Sequence, residues 1–80
     1  MSKNESVQAV VHNVIRNGKH GPYAVASDEK LGSITFALDS AVWHEEDDPE
    51  PGEVVFLSKL RKKRAGWKAM EARRLRPSEA

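Results

Sequence analysis

The sequence predicts an all-β fold, a small five-stranded barrel, on three observations. Short runs rich in Val, Ile, Thr and aromatic residues recur along the chain, separated by clusters of Gly, Pro, Asn and Asp that favour turns. One of these runs, Ser33 to Leu38, alternates Ile34, Phe36 and Leu38 with Ser33, Thr35 and Ala37, the two-residue period of a strand with one buried face. The foldable region, Val7 to Arg76, is also too short to carry an open sheet with many exposed edges, and closure removes those edges.

Taken in order, "VQAVVHNVI", Val7 to Ile15, is β-branched with partial alternation and reads as the first strand. "NGKHGP", Asn17 to Pro22, is dense in turn formers, and "YAVAS", Tyr23 to Ser27, is a short second strand. "DEKLG" turns the chain into the third strand at Ser33 to Leu38. Between Asp39 and Gly52 the sequence is acidic and twice interrupted by proline, so it is expected to be a long loop with a helical turn around Ala41 to His44. "EVVFLSKL", Glu53 to Leu60, has the highest local β propensity, and "RKKRAG" is expected to be a solvated hairpin tip. "WKAMEARRL", Trp67 to Leu75, is open to two readings. Its Ala, Met, Glu, Lys and Arg favour helix, whereas Gly66 before it and Trp67, Ala69 and Leu75 on one side suit a strand, with Glu71 and Arg73 interrupting that side. Closure of the barrel favours the strand. Gly52 and Gly66 both follow turn chemistry and precede a strand, so at least one is expected at positive φ. Residues 1–6 and 77–80 are expected to be disordered tails flanking a single domain at residues 7–76.

Composition excludes several kinds of chemistry. A chain of 80 residues buries too little surface to expect a deep catalytic cavity. The absence of cysteine removes disulfides, thiolate metal sites and cysteine nucleophiles, and suits a reducing compartment. No apolar stretch has the length of a signal peptide or a membrane span, so a cytoplasmic protein without a membrane partner is expected. His12, His20 and His44 lack ligand spacing, and "HEEDD" has no second histidine at the position a zinc helix needs. The acidic run lacks the central glycine and ligand spacing of a calcium loop. With no Ser-His-Asp arrangement to argue and no phosphate-cradling glycine signature, the expectation is a protein that is not an enzyme and needs no cofactor or metal.

Charge is informative through its placement. Ser58 to Pro77 holds nine basic residues and one acid in a chain of net charge +1, while Asp39 to Gly52 is acidic. A segregated block creates a local field that attracts phosphates or an acidic partner even when the whole chain is nearly neutral.

The order of parts resembles a cold shock domain, a five-stranded barrel of the oligonucleotide/oligosaccharide-binding (OB) class. The opening strand "VQAVVHNV", the Gly-aromatic "GPYAV", the aromatic third strand "GSITFAL", the approach "PEPGEVVF" to the fourth strand and the final "AGWKAMEARRL" carry the likeness, from Val7 to Leu75. The aromatic display is reduced. "KHGPYAV" keeps Lys19, Gly21 and one ring, Tyr23; "ITF" keeps Phe36; the first strand carries valine and histidine where the family shows tryptophan and phenylalanine.

The resemblance implies an OB-type (cold-shock-like) barrel that binds single-stranded RNA or DNA with modest affinity and weak sequence preference. Lys59, Arg61, Lys62, Lys63, Arg64, Lys68, Arg73 and Arg74 are the candidate phosphate contacts, joined by Lys19 and His20, and Tyr23, Phe36 and Trp67 are the candidate stacking rings. Strand alternation places Lys68 and Arg74 on the face opposite Arg73, so only part of the set can act together. The alternative partner is a protein. In that reading the basic hairpin docks on an acidic surface and the acidic loop on a basic one.

Overall fold

A computed structural model describes residues 6–19, 21–64 and 66–75. Of the expected disordered tails, residues 1–5 and 77–80 lie outside the described residues, whereas Ser6 is part of a strand. Five strands form: β1 (Ser6–Ile15), β2 (Tyr23–Asp28), β3 (Gly32–Ala37), β4 (Val54–Lys63) and β5 (Gly66–Arg74). The stretch with two readings, after Gly66, is a strand. β1 begins at Ser6, one residue before the strand expected from the sequence.

The strands close in the order β1-β2-β3-β5-β4, with β4 returning to β1. All pairs are antiparallel except β3 with β5, which is parallel. This is a mixed five-stranded closed barrel of the OB type. β1 serves two neighbours because its first half, to Val10, pairs with β4 and its second half pairs with β2. The register slips between Val11 and Asn13, and such a bulge bends a strand enough to wrap the barrel.

Inward alternation builds the core as the sequence suggested. Ile34 and Phe36 of β3 are fully buried, in one core cluster with Val11, Val55 and Leu57. Five alanines, Ala9, Ala24, Ala26, Ala69 and Ala72, complete the lining, and their small volume admits the larger rings and branches of a narrow barrel.

The long connection does more than join strands. Its helical turn lies at Asp39 to Trp43, where the Trp43 amide donates to the Asp39 carbonyl at 2.8 Å. The Asp39 carboxylate accepts from the Ala41 and Val42 amides at 3.0 and 3.2 Å, satisfying donors that a single turn leaves open. Val42 and Trp43 thereby enter the core and close one end of the barrel, with the Trp43 ring 5.7 Å from that of Phe36. The Trp43 indole donates to the Asp47 carbonyl at 2.8 Å. The segment is fastened to β5 by Ala72, whose amide donates to the Val42 carbonyl at 2.9 Å and whose carbonyl accepts from the His44 amide at 3.2 Å. The sequence shows a proline-broken acidic loop here, with no periodic pattern to mark Val42 and Trp43 as an apolar plug.

The β4–β5 hairpin also differs from expectation. Arg61, Lys62 and Lys63 belong to β4 rather than to a solvated tip, and the ladder runs out to the Lys63–Gly66 pair. Gly52 and Gly66 both take positive φ, 93° and 135°.

Candidate nucleic-acid interface

An open hollow lies on the outer face of the barrel where the first loop meets β2, β3 and β5. Gly18 and Lys19 border it from the loop, Tyr23 from β2, Thr35 and Ala37 from β3, and Lys68 from β5. Thr35 and Ala37 are the outward members of the β3 alternation whose inward members are Ile34 and Phe36. Parallel pairing sets Lys68 directly beside Thr35. Tyr23 pairs with Ala37 and is 36% exposed, enough to offer a ring face to a ligand.

Gly18 explains how the ring is held. A Cβ at this position would meet the Gly21 carbonyl oxygen at 2.8 Å and the Tyr23 ring at 3.1 Å, so the loop and the ring approach each other only because the side chain is absent. The Gly21 amide donates to the Gly18 carbonyl at 3.2 Å and tightens the same turn.

A second hollow continues from the first towards the hairpin. Ser33, Thr35, Lys63, Gly66, Trp67 and Lys68 line it, and it shares Thr35 and Lys68 with its neighbour. The sequence-predicted residues Lys19, Tyr23, Lys63, Trp67 and Lys68 thus border one continuous groove. Arg61 pairs with Lys68 across β4 and β5. Arg64 is exposed at the tip. Arg61, Lys63 and Arg64 have no ion pair among the described residues.

The other predicted residues are buried, packed or engaged with other groups. Phe36 is fully buried and is a core residue, with no face to offer a base. Trp67 borders the second hollow but is half-buried and packs on the core at the end of the barrel opposite Trp43, and the Lys62 ammonium lies 5.4 Å from the centre of its ring. Lys59 pairs with Glu71 at 3.2 Å. The Arg73 guanidinium lies over Phe56 at 4.7 Å, on the β4 side of β5 and away from the groove. His20 lies outside the described residues.

Arg74 is taken by the acidic connection. Its Nε donates to the Glu53 carboxylate, its Nη2 to the Asp48 carbonyl at 2.9 Å, and its backbone amide to Glu45 at 3.2 Å, while the guanidinium lies over the Trp43 ring. The hydrogen bond to Glu53, together with the charges of Glu53, Glu45 and Asp47 and against partial burial, raises the Arg74 pKa above its ordinary value. Arg16 from the first loop pairs with Asp48 in the same cluster. The acidic run therefore clasps its own barrel end through one member of the basic block, and Arg74 is a structural residue.

Alternation also fails where the sequence reading relied on it. Ala69 and Ala72 are both buried although three positions apart, so β5 turns over between them. Lys68 and Arg73 then lie on the outer side, with Arg74 on the inner side at the barrel end, contrary to the expectation that Lys68 and Arg74 share a face. The same turnover removes Glu71 and Arg73 from the core side, where simple alternation would place them.

Thr35, Ala37 and Gly18 were not foreseen as groove residues. The first two were legible as the outward positions of "SITFAL", whereas Gly18 shows its part only through contact with Tyr23. Among the described residues no helix is long and apolar enough to cross a membrane, and no group of three His, Asp or Glu side chains is placed to hold a metal ion. No family model, no curated protein and no solved structure matches the chain.

Proposed function

We propose that the protein binds single-stranded nucleic acid, RNA or DNA, with modest affinity and weak sequence preference, along the groove from Lys19 and Tyr23 to Lys63. The supporting observation is the juxtaposition of one exposed ring with Lys19 and Lys68 in an open hollow on the β2–β3 face. Barrels of this architecture bind oligonucleotides from that face and from the loops beside it. Cations there would neutralise phosphates and release counterions, and Tyr23 would stack one base through a π-face that every base has. A single ring limits both affinity and preference, in keeping with the reduced aromatic display of the sequence. This reading retains the cold-shock-like mode of binding with fewer stacking contacts.

An amide chemical-shift titration with short oligo-dT and oligo-U tests it. Resonances of Lys19, Tyr23, Thr35 and Lys68 are expected to move together, and the affinity to fall steeply with salt and on competition with heparin. Shifts confined to the outer surface of β1 and β4, or no shifts at all, would overturn it. Retention of an acidic peptide by the hairpin, without any dependence on Tyr23, would put protein docking in its place.

A further inference from the structure

The hairpin places its adjacent cations on opposite sides, and one strained residue determines which. In the half of β4 near the acidic connection, Val55 and Leu57 point inward. Beyond Lys59 the inward residue is Leu60, packed against the core, three positions after Leu57 where simple alternation requires two. β5 makes the same change between Ala72 and Ala69. The pairing register is unchanged across it, with Ser58 opposite Glu71 and Leu60 opposite Ala69. Both strands therefore turn over together. Lys59 sits at the turnover with φ of 54°, a left-handed conformation that a residue with a Cβ rarely adopts.

The turnover redistributes charge. Leu60, Lys62, Trp67 and Ala69 lie on the inner side, with Lys62 over the Trp67 ring. Arg61, Lys63 and Lys68 lie on the outer side. Arg61 is opposite Lys68, Lys68 is beside Thr35, and Lys63 lines the same hollow as Lys68. Without the turnover Lys62 would face outward, and Arg61, Lys63 and Lys68 would be directed to the barrel mouth. We infer that Arg61, Lys63 and Lys68 form a single phosphate track continuous with the Tyr23 hollow, that Lys62 is excluded from it, and that Lys59 is the positioning residue that makes this selection through its backbone. The inference rests on the nucleic-acid reading above and assigns the residues within it.

Four single variants, Arg61→Gln, Lys62→Gln, Lys63→Gln and Lys68→Gln, are compared with the parent by fluorescence anisotropy on a labelled oligo-dT at several salt concentrations. Each track residue is expected to lower the salt slope by about 0.7 and the affinity about fivefold at 0.1 M salt, the loss of one single-strand phosphate contact. Lys62→Gln is expected to leave both unchanged and to shift the Trp67 indole resonance instead. Lys59→Asn, which removes the charge but tolerates the left-handed conformation, is expected to bind as the parent does. Lys59→Val, which resists that conformation, is expected to lose about 1.4 of slope, a net loss of about two contacts as three leave the track and Lys62 enters it. If Lys62→Gln costs as much as Lys63→Gln, or Lys59→Asn as much as Lys59→Val, the hairpin acts as an undirected cluster of charge and the inference is overturned with nucleic-acid binding intact. If the parent fails to bind any oligonucleotide, the functional reading itself falls. Should Lys59→Val not fold, the four glutamine variants and Lys59→Asn still decide.

Discussion

At the scale of single residues, two aromatic side chains that look alike in the sequence separate into different roles. Phe36 fills the barrel beside Trp43 and is 0% exposed, whereas Tyr23 stands at the rim of the groove at 36%. Phe36→Ala is expected to destabilise the protein by about 3 to 5 kcal/mol, the cost of truncating a buried ring, read from urea melts. Tyr23→Ala is expected to leave the melt nearly unchanged and to weaken oligonucleotide binding by about 1 to 3 kcal/mol with an unaltered salt slope. Equal stability losses in the two variants would show that Tyr23 packs rather than displays. The burial of Phe36 was legible in its alternation with Ile34 and Leu38, and the exposure of Tyr23 in its place beside Pro22. Trp43 was not legible. It lies among acids and prolines with no periodic apolar neighbour, and only the turn begun by Asp39 directs it into the core.

At the scale of elements, the five strands were readable because each has β-branched or alternating residues bounded by turn formers, and β5 became readable through the need to close the sheet. What could not be read is the turnover in the β4–β5 hairpin. Alternation assumes that every residue is extended, and nothing in "LSKLRKK" announces that Lys59 is not. The assumption misassigned Arg74 as a partner of Lys68 and made Glu71 and Arg73 look like faults in a strand. The backbone at these positions also has an energetic signature. Lys59→Val is expected to destabilise by about 1 to 2 kcal/mol, because a β-branched residue is strained at φ of 54°. Lys59→Gly is expected to cost little, because relief at the backbone offsets the exposed ion pair with Glu71, worth at most about 1 kcal/mol. Gly52→Ala and Gly66→Ala meet the converse constraint at φ of 93° and 135°, and each is expected to lower stability by about 1 kcal/mol or more. Urea melts of the four variants check this, and a Lys59→Val as stable as the parent would remove the strain from the account.

At the scale of the whole molecule, the topology converts a segregated sequence into a polar body. The acidic connection leaves β3 and enters β4 at one end of the barrel, while the β4–β5 hairpin projects at the other. Between them runs β4, nine residue steps from Val54 to Lys63, or about 30 Å at the rise of a strand. The acidic end partly satisfies itself through Arg16, Arg74 and the Trp43 plug, whereas Arg61, Lys63 and Arg64 remain without ion pairs among the described residues. On the proposed function, an anionic strand approaching from solution is drawn first to the hairpin, and the acids act on that encounter only at long range. The Debye length decides whether they act at all, being about 8 Å at physiological ionic strength and about 30 Å at 0.01 M salt. Glu46, Asp47 and Glu50 are exposed. Their combined replacement by Gln, Asn and Gln is expected to leave the association rate with oligo-dT unchanged at 0.15 M salt and to raise it on the order of twofold at 0.01 M. Arg64→Gln is expected to lower the rate at both, more at low salt, with little change in dissociation, since charges at the rim of an interface govern encounter more than residence. Stopped-flow mixing at the two salt concentrations measures all four rates. The Tyr23 end of the groove lies on the first loop, whose Arg16 pairs with Asp48, so the test concerns the first encounter and not the bound strand. An acid-neutralised variant that associates faster at 0.15 M salt would show that the strand first meets the protein within a Debye length of the acids, and encounter at the hairpin pole would then fail to describe how association begins.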